Sequence, residues 1–96
     1  MIADISIAPV GEGTSVSKYV AKALAIIKKS GLKHEFHSMG TNVEGSYDEI
    51  VKLVKKCSDA IFKMGAERVI IRMYMDDRHD KLSTIEGKKS SVEGKL

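Results

Sequence analysis

The sequence predicts an α+β fold: one antiparallel four-stranded sheet carrying two helices on one face. Two apolar stripes at helical spacing, each flanked by lysines, are interleaved with segments of strand-like alternation. Gly31 and Gly65 stop the two stripes at equivalent points of two strand-helix-strand halves.

Each element follows from local chemistry. In residues 2–9, Ala3, Ile5 and Ile7 fall on one face of a strand, and Asp4, Ser6 and Ala8 on the other. Pro9 and Gly11-Glu12-Gly13 end it, because proline cannot donate to a ladder and glycine opens turn conformations. Ser15 is the expected helix cap, followed by a stripe of Val16, Tyr19, Val20, Ala23, Ile26 and Ile27. Lys28 and Lys29 suit the negative end of that helix. Residues 32–38 read as a second strand around Phe36, and Met39-Gly40 as a tight connection into a short third strand over 41–44. Gly45 closes it. Ser46-Tyr47-Asp48-Glu49 is a capping box, and Ile50, Leu53, Val54, Cys57, Ile61 and Met64 continue as the second helix. The fourth strand spans 67–75, where Val69, Ile71, Met73 and Met75 alternate with Ile70, Arg72 and Tyr74. The order βαββαβ is that of a ferredoxin-like, split βαβ domain, since right-handed crossovers and short connections leave few alternatives.

That arrangement places residues 1–80 in the domain and leaves 81–96 as a C-terminal tail. Its apolar anchors are Leu82, Ile85, Val92 and Leu96, and it is expected either to be mobile or to dock on a neighbouring subunit. With Ile5, Ile7, Val69, Ile71 and Met73 under the helices, Asp4, Ser6, Arg72 and Tyr74 point to a face with no helix of its own. Such a face becomes an interface in an oligomer, and its polar groups suit a ligand site. Arg72, in an apolar strand, is expected to find a partner in Asp4, Glu44 or a bound anion.

Composition narrows the function. A chain of 96 residues with 43% hydrophobic and 30% charged residues fits one soluble domain. No apolar run is long enough to cross a bilayer, and the N-terminus lacks the basic region and cleavage site of a signal peptide, so a cytoplasmic protein is expected. The single cysteine, Cys57, sits on an apolar stripe as a small hydrophobe. The net charge of +3 reflects lysines on outward helix positions without interleaved aromatics, so no nucleic-acid partner is expected. His34 and His37 face opposite sides of a strand, and Asp76-Asp77-Arg78-His79-Asp80 reads as a solvated turn, so neither is expected to hold a metal. No nucleophile elbow, phosphate loop or dinucleotide fingerprint is present, and neither enzyme activity nor a cofactor is expected.

Ile7-Ala8-Pro9-Val10-Gly11, Met39-Gly40-Thr41-Asn42-Val43-Glu44-Gly45, and Arg72 followed by Asp77-Arg78 resemble the small thiamine-binding, YkoF-like family. The resemblance covers most of the chain, and the central motif is its most specific part; Asn42 stands where an apolar residue is expected. It implies a single-repeat ferredoxin-like subunit that forms homodimers or homotetramers through its sheets. It further implies a pocket for thiamine or its hydroxymethylpyrimidine moiety, without a catalytic role. Met39, Gly40, Thr41, Glu44 and Gly45 match the central motif, with Ser6 and Pro9 on or beside the first. Glu44 and the hydroxyls of Thr41 or Ser6 would match an aminopyrimidine, whose flat ring would pack on Met39 or Tyr74; Arg72 completes the candidate set. The alternative is a structural or regulatory interaction module without a specific small-molecule ligand.

Overall fold

Strand β1 (Ile2–Pro9) is central, and the sheet builds outward from it in the order β2-β3-β1-β4. The other strands are β2 (His34–His37), β3 (Gly40–Glu44) and β4 (Val69–Asp76), all pairing antiparallel in this computed structural model of residues 1–96. Three helices complete the α+β fold: α1 (Ser17–Lys29), α2 (Tyr47–Lys63) and α3 (Ile85–Glu93).

The alternation in β1 works as its sequence suggests. Ala3, Ile5 and Ile7 lie under α1 and α2 with Val43, against Tyr19, Ala23 and Ile27 of α1 and Ile50, Leu53, Val54, Cys57 and Ile61 of α2. Helix α2 starts on a complete capping box: Ser46 Oγ accepts from the Glu49 N–H at 3.2 Å, and the Glu49 carboxylate accepts from the Ser46 N–H at 2.9 Å. Hydrogen bonding from the Ser46 backbone N–H, and then from the Ser46 hydroxyl, holds the Glu49 carboxyl below the usual carboxylate range. The Cys57 Sγ–H donates to the Ala23 carbonyl at 3.6 Å, and burial pushes its thiol up to about 11, so the group packs rather than reacts.

Four expectations are corrected. Ser15 does not cap α1: Val16 occupies the cap position without a side-chain bond, and the helix begins at Ser17. Ile71 and Met73 lie on the helix side by register, opposite Ile7 and Ile5, yet both are exposed, because β4 is an edge strand only partly covered by α2. Met64 likewise falls beyond the end of α2 and is exposed. The C-terminal segment contains a helix that folds back on this chain's own sheet. Thr84 caps α3 by accepting from the Gly87 N–H at 2.9 Å, and the Ile85 N–H donates to the Glu44 carboxylate. Lys88 pairs with Asp76, Lys89 with Glu35 and Lys33 with Glu86. Glu44 and Asp76 flank Ile2 in register on the face away from α1 and α2, so α3 covers one end of the face expected to be bare. Ile2 and Ile85 are both buried there.

The core therefore rests on α2 far more than on α3. Ile50→Ala, at a fully buried position, should lower unfolding free energy by about 2–5 kcal/mol in a urea titration. Val92→Ala, on the exposed side of α3, should stay within about 0.5 kcal/mol. Equal effects would mean that α3 carries core packing its burial does not show.

Candidate functional site

Strand β1 outruns its neighbour on one side. It pairs with β4 over Ile2–Pro9 but with β3 only over Ile2–Ile5, because the β2–β3 hairpin turns at Ser38-Met39. Helix α1 passes over the step so left in the sheet. A cavity of about 260 Å³ opens there, walled by Ile5, Ile7, Phe36 and Thr41 below and by Val20 and Ala23 of α1 above. Met39 and Ser6 also border it; Met39 is largely exposed and Thr41 buried.

A polar cluster stands at the rim. Asp4 Oδ1 accepts from His37 Nε2 at 2.6 Å and from Asn42 Nδ2 at 3.1 Å, while His37 Nδ1 accepts from the Met39 N–H at 3.3 Å. Since Nδ1 accepts, the proton of the neutral ring sits on Nε2 and is given to the carboxylate. Glycine at position 40 makes this reach feasible. A Cβ there would lie 2.7 Å from the Ile5 carbonyl oxygen, 3.4 Å from His37 Cε1 and 3.5 Å from Asp4 Oδ1.

The candidate residues divide into separate groups. Ser6, Met39, Gly40 and Thr41 border the cavity, and Pro9 closes β1 just beyond it, opposite Val69. Glu44 and Gly45 lie at the other end of β3, about 13 Å from Gly40 at the rise of a strand. Thr41 and Glu44, three residues apart, face opposite sides of the sheet, and they do not meet. One Glu44 oxygen accepts from α3, and Gly45 exchanges main-chain bonds with Met1. Arg72 and Tyr74 lie on the open face opposite Ser6 and Asp4. Arg72 is exposed and forms no ion pair, so neither Asp4 nor Glu44 is the partner expected for it. Asp4 is engaged instead by His37 and Asn42, which sequence reasoning missed. The only signal for it was a histidine three residues before Gly40, and register alone brings Asp4 under that ring.

The charged turn after β4 is self-contained. Arg78 donates to both oxygens of Asp80 and holds its carboxyl at about 2, and His79 stands 3.4 Å from Asp77. No group of three or more His, Cys, Asp or Glu side chains converges to hold a metal ion. No helix is long and apolar enough to cross a membrane.

The family described as thiamine-binding protein matches residues 3–93. A UPF0045 protein of Synechocystis sp. is 40% identical over 93 residues, 97% of this chain and 77% of the relative. A UPF0045 protein of Methanocaldococcus jannaschii is 42% identical over 92 residues, 96% of this chain and 91% of the relative. The crystal structure of a hypothetical protein from that organism superposes with a TM-score of 0.89 at 43% identity, covering 99% of this chain and 96% of the other. A Thermotoga maritima protein, provisionally named for thiamine biosynthesis or salvage, superposes with a TM-score of 0.82 at 26% identity, covering 95% and 96%. None of these names specifies a reaction.

Because a Cβ at position 40 meets main chain rather than a flexible side-chain end, Gly40→Ala should cost about 1–3 kcal/mol in a urea titration. It should also break the Asp4–His37 bond, read as a shift of the His37 ring nitrogen resonances. A variant of unchanged stability and unchanged resonances would show that the hairpin yields without loss.

Proposed function

We propose that this chain, which belongs to the thiamine-binding protein family, is a non-catalytic binding protein for thiamine or its hydroxymethylpyrimidine moiety. It works as a cytoplasmic homo-oligomer of ferredoxin-like subunits joined through their sheets. The observation that carries the reading is the cavity of about 260 Å³ beside the Met39-Gly40-Thr41 segment. Its walls are apolar, and a few hydroxyl and main-chain groups border them, which is the pattern of a site for a small flat ring. The volume lies just below the range of about 300–1,000 Å³ common for larger ligands, and so suits a single substituted heterocycle.

The residues take distinct roles in this reading. Thr41 offers a hydroxyl, Phe36 and Met39 offer ring and thioether surfaces, Ser6 borders the cavity through its main chain, and Gly40 lets the ligand approach the hairpin backbone. Asp4, behind the cavity-lining His37, supplies a nearby carboxylate that would favour a thiazolium cation. Glu44 and Gly45 serve the end of the sheet and α3, and Pro9 ends the strand that forms the cavity's edge. Arg72 and Tyr74 serve self-association, with exposed Ile70, Ile71 and Met73 around them on an edge strand.

That same exposed strand is the observation favouring the second reading, an interaction module without a specific ligand. A thermal-shift titration with thiamine, thiamine phosphates and hydroxymethylpyrimidine separates the two. Ligand at about 100 times its Kd should add roughly 2.7 kcal/mol of stability. Thr41→Val should weaken binding by about 1 kcal/mol, the worth of one hydrogen bond. Glu44→Ala should leave affinity unchanged while loosening α3. No shift with any of these compounds at millimolar concentration would favour the interaction module.

A further inference from the structure

We infer that the cavity recognises its ligand through the free main-chain edge of Ile7, which takes a planar heterocycle presenting a hydrogen-bond donor beside an acceptor. The inference rests on the ligand reading above and assigns its polar contact.

The ladder determines which way each backbone group points. Met1 and Gly45 exchange bonds, the Met1 amino group donating to Gly45 O at 2.9 Å and the Gly45 N–H to Met1 O at 3.1 Å. Odd-numbered residues of β1 therefore aim N–H and C=O toward β3, and even-numbered ones toward β4. Val10 agrees: its N–H donates to Arg68 O, on the β4 side, at 2.8 Å. Continued beyond Ile5↔Thr41, the register sets Ile7 opposite Met39, which lies in the hairpin turn and not in a strand. No bond outside the ladders uses the Ile7 N–H or C=O, from main chain or side chain. Ile7 is nonetheless only 7% exposed, and Ile5, Ser6, Ile7 and Ala8 all line the cavity.

A nearly buried donor and acceptor left without partners is rare, because each forgoes water on folding. Here the two groups point the same way, into a cavity with apolar walls. The ligand acts as the missing stretch of β3: a ring nitrogen accepts from the Ile7 N–H while an adjacent amino group donates to the Ile7 carbonyl. An aminopyrimidine edge carries that pair in the required order. Side chains then select ring size, and the main chain reads the edge.

Residue-resolved amide hydrogen exchange by NMR tests this on the full chain, with 4-amino-5-hydroxymethyl-2-methylpyrimidine as probe. In the free protein the Ile7 amide should exchange at least tenfold faster than those of Ile5 and Ala8, which are bonded in ladders. Saturation with the pyrimidine should slow it at least tenfold, and the analogue lacking the 4-amino group should bind at least tenfold more weakly. Binding that shifts other resonances but leaves Ile7 exchange unchanged would overturn the inference while the ligand reading stands. A slow Ile7 amide in the free protein would overturn it equally. No resonance shift with the pyrimidine, thiamine or its phosphates at millimolar concentration would remove the ligand reading and the inference with it.

Discussion

The rest of the structure depends on an asymmetry in the pairing of β1. On its β4 side the central strand is matched along its whole length, and on its β3 side only from Ile2 to Ile5. The hairpin between β2 and β3 causes this, because it turns at Ser38-Met39 and brings Gly40 back against Ser6. A longer hairpin would fill the step with a further pair of ladder bonds and close the cavity. The short one leaves backbone groups and apolar side chains facing one space, under a helix that continues straight across. Gly40 is the residue that tolerates this turn, since any side chain would meet the Ile5 carbonyl and the imidazole lying above it.

The opposite end of the sheet is organised by charge. Glu44 receives the first amide of α3, and ion pairs from Lys33, Lys88 and Lys89 hold the helix along the strands. Each of these exposed pairs contributes little alone, and Ile85 supplies the burial that gives them a reason to persist. Lys88 also holds the Asp76 carboxyl below its ordinary range. A charged residue in a family motif thus has a structural task. Glu44 stands where it can dock a helix, while the ligand-sized space lies at the other end of the same strand.

The side chains around the cavity are mostly apolar. Asp4 and His37 form a close couple, but no hydroxyl or thiol stands against the imidazole to be activated, and the one cysteine is buried with its proton held firmly. The Synechocystis and Methanocaldococcus relatives align with 97% and 96% of this chain, and a superposition at a TM-score of 0.89 extends the similarity to the whole fold. The family match covers residues 3–93, and the geometry sets a cavity of about 260 Å³ beside the Met39-Gly40-Thr41 segment.

The sequence by itself determined two of the three helices, the four strands and the family of this protein. Periodicities of two and near four are local properties, the capping box of Ser46 and Glu49 is written within four residues, and Met39 to Gly45 is a continuous motif. Exposed β4, the ends of the strands and helix α3 were less legible, because α3 carries a weak apolar stripe and, Asp76 apart, is held by partners more than forty residues away. Register decided the remainder. Whether Thr41 and Glu44 meet, whether Asp4 reaches Arg72 or His37, and whether Ile7 finds a partner all depend on which residue of one strand stands opposite which residue of another. A single-residue slip would exchange the faces, and no local pattern specifies that offset. Tertiary structure alone chose it, through the burial of Val43 and Ile5 beneath the helices and the length of one tight turn.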